Sequence, residues 1–140
     1  MEKWVGYAFV SMIFAGFTSV IAKIGLTGIS GELGLALRTG FVFCFVLAFS
    51  LAAVPYRDLG GLTRHNVVWL ALSGATTTIS WVYYYKALKI GEVSTIALID
   101  KGSFVVAVLL AWIMLREQIT SRILLGTSFI LAGLVIVSKR

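Results

Sequence analysis

Long runs of apolar residues that contain no charged side chain divide this sequence. The four uncharged runs are residues 4–22, 39–56, 66–85 and 123–138. About 18 or more predominantly apolar residues are needed for a helix to cross the hydrocarbon of a bilayer. The runs are apolar at both odd and even positions, whereas a strand of a membrane barrel alternates in polarity. The pattern therefore predicts an all-α integral membrane protein.

A fifth apolar stretch, which is interrupted by Asp100 and Lys101, completes the pattern. We expect a bundle of five transmembrane helices that forms a single membrane domain over residues 1–140. The predicted helices are residues 4–22, 33–54, 66–85, 93–114 and 122–138. Pro55, the only proline, follows the second helix and lacks the N–H that a continuing helix would need. Gly91 separates the third helix from the fourth.

The composition narrows the class of protein further. Hydrophobic residues make up 59% of the chain and charged residues 13%, whereas soluble domains are about 45–50% apolar and about 25% charged. Five spans of about 20 residues use about 100 positions, which leaves no room for a soluble catalytic domain. The sequence thus excludes both a water-soluble fold and a disordered chain.

Few residues could support catalysis, metal binding or a disulfide. The chain has one histidine, His65, and one cysteine, Cys44, so neither a metal site nor a catalytic triad can be assembled. We expect no enzyme activity and no cofactor. The net charge is +6, but Lys and Arg lie at the ends of apolar runs rather than in a stripe, which argues against nucleic acid as a partner. The expected partner is membrane lipid.

The basic residues do not orient the chain. Five helices place the termini on opposite sides of the membrane, with five Lys or Arg on the N-terminal side and six on the other. The side with the larger number of Lys and Arg in its loops normally faces the cytoplasm. Here the two sides differ by one residue, which does not determine the orientation of the chain in the membrane. One hypothesis is that copies insert both ways and pair as an antiparallel homodimer. The alternative is a single orientation that is set by other features.

Asp100 and Lys101 form a charged pair inside the fourth predicted span. They lie about 11 Å from its start, and a charge at the centre of a membrane helix costs roughly 2.5–3.5 kcal/mol. Neighbouring side chains project about 100° apart, so we expect Asp100 to take a cation from another helix. Two interpretations remain open. Either the pair belongs to a functional site, or Lys101 extends toward the interface while Asp100 holds the bundle together.

Several motifs in order along the chain resemble the EamA-type drug/metabolite transporter superfamily. They are YYKALKIGEVS (84–94), IDKGS (99–103), LLAW (109–112) and LREQIT (115–120). Lys23 is similar to the end of the first helix of that family, and Arg38 to the arginine that begins its second. The chain looks like the half-size, single-repeat bacterial and archaeal branch. It departs from the pattern at Leu98, where relatives often have proline, and at Arg116, which replaces the usual glycine.

The resemblance implies a secondary transporter subunit that moves a small metabolite or drug-like solute across the cytoplasmic membrane of a prokaryote. Two five-helix repeats would form one pathway, from a homodimer or from pairing with a half-size homologue. The expected pathway residues are Lys23, Arg38, Trp81, Tyr84, Asp100, Lys101 and Ser103. Their three cations against one anion favour anionic or zwitterionic solutes. The alternative function is a non-transporting membrane partner that stabilises or regulates a larger membrane complex.

Overall fold

The computed structural model describes residues 3–138, and over that range the chain is helical, with no strand. The elements are α1 (Lys3–Gly25), α2 (Gly31–Ala53), a 3-10 helix (Tyr56–Gly61), α3 (Arg64–Ile90), α4 (Val93–Asp100), α5 (Ser103–Leu115) and α6 (Ser121–Ser138). The predicted all-α class is confirmed. Residues 1, 2, 139 and 140 of the predicted domain lie outside the described residues.

Four helical segments in the described chain are long and apolar enough to cross a membrane. They are Lys3–Gly25, Gly31–Ala53, Val93–Leu115 and Ser121–Ser138, with mean hydropathy between 1.8 and 2.0. The third helix, α3, is long enough at 27 residues but carries more hydroxyl side chains. The structure thus supports a membrane helical bundle with four candidate spans, and the fifth crossing stays a prediction.

Several helices extend beyond their predicted bounds. The first was expected to end at residue 22 but continues to Gly25, and the third was expected to end at residue 85 but continues to Ile90. The predictions stopped at the nearest lysine, although lysine is a good helix former and its long side chain can reach other partners. The second helix begins at Gly31 because Ser30 caps it, its hydroxyl accepting from the Leu33 N–H at 3.2 Å.

The predicted continuous fourth helix is interrupted between α4 and α5. The N–H of Lys101 donates to the Leu98 carbonyl at 3.1 Å, and that of Gly102 to the Ile99 carbonyl at 2.8 Å. These bonds between residues three apart tighten the helix locally. A Cβ at Gly102 would lie 3.1 Å from Cδ1 of Leu134, in α6. Glycine therefore permits the tight turn and the close approach of α6, without a proline at position 98.

The fifth helix, α5, ends in an unusual conformation. Arg116 has a left-handed backbone, with φ 55° and ψ 32°, and its N–H donates to the Ala111 carbonyl. The N–H of Glu117 donates to the same carbonyl at 3.3 Å. Glycine is the residue that normally takes this conformation at the end of a helix. Arginine adopts it here at a cost of roughly 1 kcal/mol.

The helices form two compact units. One contains the described residues of Met1–Ile21 and Gly91–Arg140, and in it α6 packs against α4 and α5. The other is Ala22–Ile90, in which α2 packs against α3. The buried apolar side chains of the described chain all belong to the second unit, and they are Leu26, Tyr85 and Leu88. We call the region around them the junction, where α1 and α3 end and α2 begins.

Candidate functional site

Two lysines tie together the ends of α1 and α3 at the junction. Nζ of Lys23 donates to the carbonyl of Leu88 at 2.5 Å and to that of Lys89 at 3.4 Å. In return, Nζ of Lys89 donates to the Leu26 carbonyl at 3.0 Å. The last carbonyls of a helix have no partner within it and carry a partial negative charge, so cations are favourable there. Lys23, from the last turn of α1, thus caps the end of α3, and Lys89, from the last turn of α3, binds the carbonyl of Leu26, the first residue after α1.

Close backbone contact brings the start of α2 onto α3. A Cβ added at Gly31 would lie 2.9 Å from the carbonyl oxygen of Tyr85 and 3.2 Å from its carbon. Because those atoms are backbone, a side chain at Gly31 would push the two helices apart. Beside this contact, Nζ of Lys86 lies 3.7 Å from Oε1 of Glu32, with both side chains mostly exposed. The surface ion pair adds little, so the contact rests on Gly31.

The guanidinium of Arg38 stacks on aromatic rings of α3. Its Cζ lies 4.4 Å from the centroid of the Trp81 ring and 5.9 Å from that of Tyr85. Both distances are within the range of a cation–π interaction. Within residues 3–138, no carboxylate forms an ion pair with Arg38. The arginine is therefore held by ring faces rather than by an opposite charge.

Tyrosines extend the aromatic cluster along α3. The rings of Tyr84 and Tyr85 meet edge to face, with centroids 6.3 Å apart. Tyr85 was not among the predicted site residues, yet it contacts Arg38 and Tyr84 and packs its backbone on Gly31. The available signal was spacing: Tyr85 follows Trp81 by four residues, so the two share one face of the helix.

Four of the predicted pathway residues lie in the unit Ala22–Ile90, but their side chains make different kinds of contact. Lys23 bonds to backbone carbonyls and holds the helix ends. Arg38 and Trp81 form a stacked pair, and Tyr84 lies half-buried beside Tyr85. The geometry gives Lys23 a capping role on backbone carbonyls and leaves Arg38 with neither a carboxylate nor a hydrogen-bond acceptor among residues 3–138.

The other three predicted residues, Asp100, Lys101 and Ser103, lie in the other unit, at the turn between α4 and α5. Nζ of Lys101 is 3.9 Å from Oδ2 of Asp100. The expectation that Asp100 takes a cation from another helix is therefore wrong. Although the two side chains leave the helix about 100° apart, that of Lys101 is long enough to bend back toward Asp100. Whether these residues line a pathway stays a prediction.

The unit that contains α5 and α6 has its own recess and one unpaired buried hydroxyl. The recess, about 200 Å³, lies at the α5–α6 connection and is lined by residues that include Trp112, Glu117 and Gln118. Oγ1 of Thr127 is buried and has no hydrogen-bond partner among residues 3–138. No cluster of three or more His, Cys, Asp or Glu that could hold a metal occurs in the described part of the chain.

Comparisons with known proteins span the whole chain. The sequence model of the EamA-like transporter family matches residues 2–139. A curated relative from Sinorhizobium sp, named "Uncharacterized transporter in cobO 3'region", is 31% identical over 137 residues. That alignment covers 98% of this chain and 97% of the relative. No solved structure matches significantly.

Proposed function

The chain belongs to the EamA-like transporter family, and from this premise we propose that it is a subunit of a secondary transporter. Its cargo is a small metabolite or a drug-like solute, and its place is the cytoplasmic membrane of a prokaryote. The match over residues 2–139 carries the proposal. Members of this family are transporters rather than enzymes, in keeping with the absence of catalytic motifs from the sequence.

Five membrane crossings are part of the proposal. Helix α3 is not among the four candidate spans, but its side-chain hydrogen bonds support a crossing there. The hydroxyls of Thr76, Thr77 and Thr78 each donate to a carbonyl one turn earlier in the same helix, at 3.1, 2.8 and 2.9 Å. Such bonds satisfy polar atoms inside the helix and so reduce the cost of placing them in lipid. At 27 residues, α3 is about 40 Å long, enough to span a bilayer.

A complete pathway is proposed to need two copies. An odd number of crossings and nearly balanced basic residues allow copies to insert in opposite orientations. Two such copies would supply by association the inverted repeat that many transporters encode in one chain. The relative from Sinorhizobium is of nearly the same length, since the alignment covers 97% of it. The proposed assembly is therefore an antiparallel dimer, of this chain or with a half-size homologue.

The proposed pathway is lined by Arg38, Trp81, Tyr84, Asp100, Lys101 and Ser103, with Lys23 at its edge. Arg38 supports this assignment because a charged residue inside a membrane helix marks a functional site when no structural partner neutralises it. Lys23 is included through its bonds to the carbonyls of α3, which hold the helix that carries Trp81 and Tyr84.

The purified chain, reconstituted alone into liposomes, tests the transport function. Preloaded vesicles should exchange a labelled solute from a panel of amino acids, organic acids and cationic drugs, and empty liposomes serve as control. Saturable exchange supports the proposal. Absence of exchange for the whole panel, together with stable co-purification of another membrane protein, supports the partner-subunit function instead.

Orientation is tested separately in cells. A reporter fused after Arg140 that is active only in the cytoplasm, and a second one active only outside it, should both give signal if copies insert both ways. A signal from one reporter alone would refute the homodimer of opposite orientation. Transport by the chain would then require a paired homologue.

A further inference from the structure

Arg38 lies well inside α2. It follows Gly31, the first residue of that helix, by seven positions, which corresponds to about 10 Å along the axis. Its side chain is half-buried, and no carboxylate of residues 3–138 pairs with it. A membrane-embedded charge is costly unless something neutralises it. The position therefore calls for an anion that the described chain does not supply.

The stacking geometry leaves the hydrogen-bonding edge of the guanidinium available. Trp81 contacts Arg38 at 4.4 Å from ring centroid to Cζ, and a cation–π contact uses the charge rather than the N–H groups. No described acceptor takes a hydrogen bond from the Arg38 side chain. Guanidinium carries five N–H donors in a planar fork, which matches a carboxylate bidentately. The ring also limits the rotation of this fork.

The other cations of the junction already have partners. Lys23 and Lys89 donate to helix carbonyls, and Lys86 pairs with Glu32. The guanidinium of Arg38 is therefore the cation of the junction that can neutralise an incoming anion. A single planar cation suits a planar monoanion, whereas a phosphate dianion would need a second positive charge.

We propose that Arg38, supported by the Trp81 ring, binds the carboxylate of the transported solute. The proposal rests on the transport function above and names its substrate class as solutes that carry a carboxylate.

Fluorescence of Trp81 provides a direct binding test. In a variant with Trp4, Trp69 and Trp112 replaced by phenylalanine, Trp81 is the remaining tryptophan. Sodium butyrate should change its emission saturably, while butyramide, the neutral isostere, should not. Arg38→Gln should abolish the response, and Arg38→Lys should weaken the affinity at least tenfold because the planar fork is lost. Arg64→Lys, at the exposed start of α3, is the matched control and should leave the affinity unchanged.

Several results would overturn the proposal. Equal responses to butyrate and butyramide would exclude carboxylate recognition, and so would unchanged affinity in Arg38→Lys. Both of these measurements remain decisive if the Arg38→Gln variant fails to fold, because neither of them uses it. Nanodiscs test lipid as the source of the anion: loss of the butyrate response in phosphatidylglycerol, but not in phosphatidylcholine, would assign Arg38 to the headgroup of an anionic lipid instead.

Flux measurements separate this proposal from the transport function. Butyrate binding without exchange of any solute in liposomes would reject transport and leave the anion site standing. Exchange that Arg38→Gln and Arg38→Lys do not alter would reject the site while transport stands. For a carboxylate substrate we expect Arg38→Lys to reduce exchange at least tenfold.

Discussion

Replacing Gly31 by alanine tests the close packing of the junction most directly. The added Cβ would lie 2.9 Å from the carbonyl oxygen and 3.2 Å from the carbonyl carbon of Tyr85. Since backbone atoms cannot move aside as a side chain can, α2 and α3 must separate. Overpacking of this kind costs about 1–3 kcal/mol. Alanine recovers part of that cost because it is a better helix former than glycine, by up to about 1 kcal/mol.

We therefore expect Gly31→Ala to lower the free energy of unfolding by about 1–2 kcal/mol. Gly40→Ala in the same helix is the matched control, because a Cβ there would meet nothing within 4 Å. This control should leave stability unchanged or raise it slightly. Unfolding of the purified protein in mixed micelles of mild detergent and sodium dodecyl sulfate, followed by tryptophan fluorescence, measures both variants. Equal stability of Gly31→Ala and the parent would refute the close approach, and an equal loss in Gly40→Ala would show that the effect is not specific to the junction.

Three further changes probe other parts of the chain. Lys89→Met removes the donor to the Leu26 carbonyl and should cost about 1 kcal/mol in the same unfolding assay, more than Lys86→Met, whose ion pair is exposed. Arg116→Gly should stabilise by about 1 kcal/mol because glycine adopts the left-handed conformation without strain, and a loss of stability would argue that the arginine side chain outweighs the strain. Lys101→Met should fold normally yet lose solute exchange in liposomes if Lys101 lines the pathway, whereas loss of folding would indicate a structural role.

Much of the fold could be predicted because the thickness of a bilayer sets the length of the helices. The apolar runs gave the positions of all the long helices, but not their ends. Helix α3 continues to Ile90 past three tyrosines and two lysines, since Lys89 reaches a carbonyl of another segment. The tight turn at Gly102 depends on its approach to Leu134 in α6. Such contacts between distant residues leave no local pattern in the sequence.

Only part of the site could be predicted, because the contacts of its residues also join positions that are distant in the sequence. Arg38 borders the uncharged run 39–56 and Trp81 is an amphipathic residue within the run 66–85, so both stand out in the sequence, and the structure stacks one on the other. Tyr85 was passed over because three consecutive tyrosines look alike in sequence, and the one that faces α2 depends on helix rotation. Lys23 has the same charge as Arg38, and its capping role depends on the carbonyls of Leu88 and Lys89.

The exchange of lysines between the ends of α1 and α3 has a mechanical consequence. Pulling these two ends apart would break the bond from Lys23 to the Leu88 carbonyl and the bond from Lys89 to the Leu26 carbonyl. We therefore expect the two ends to move together in the proposed transport cycle. A crosslink between these two ends should then leave solute exchange in liposomes unchanged, and a crosslink that stops exchange would contradict this expectation.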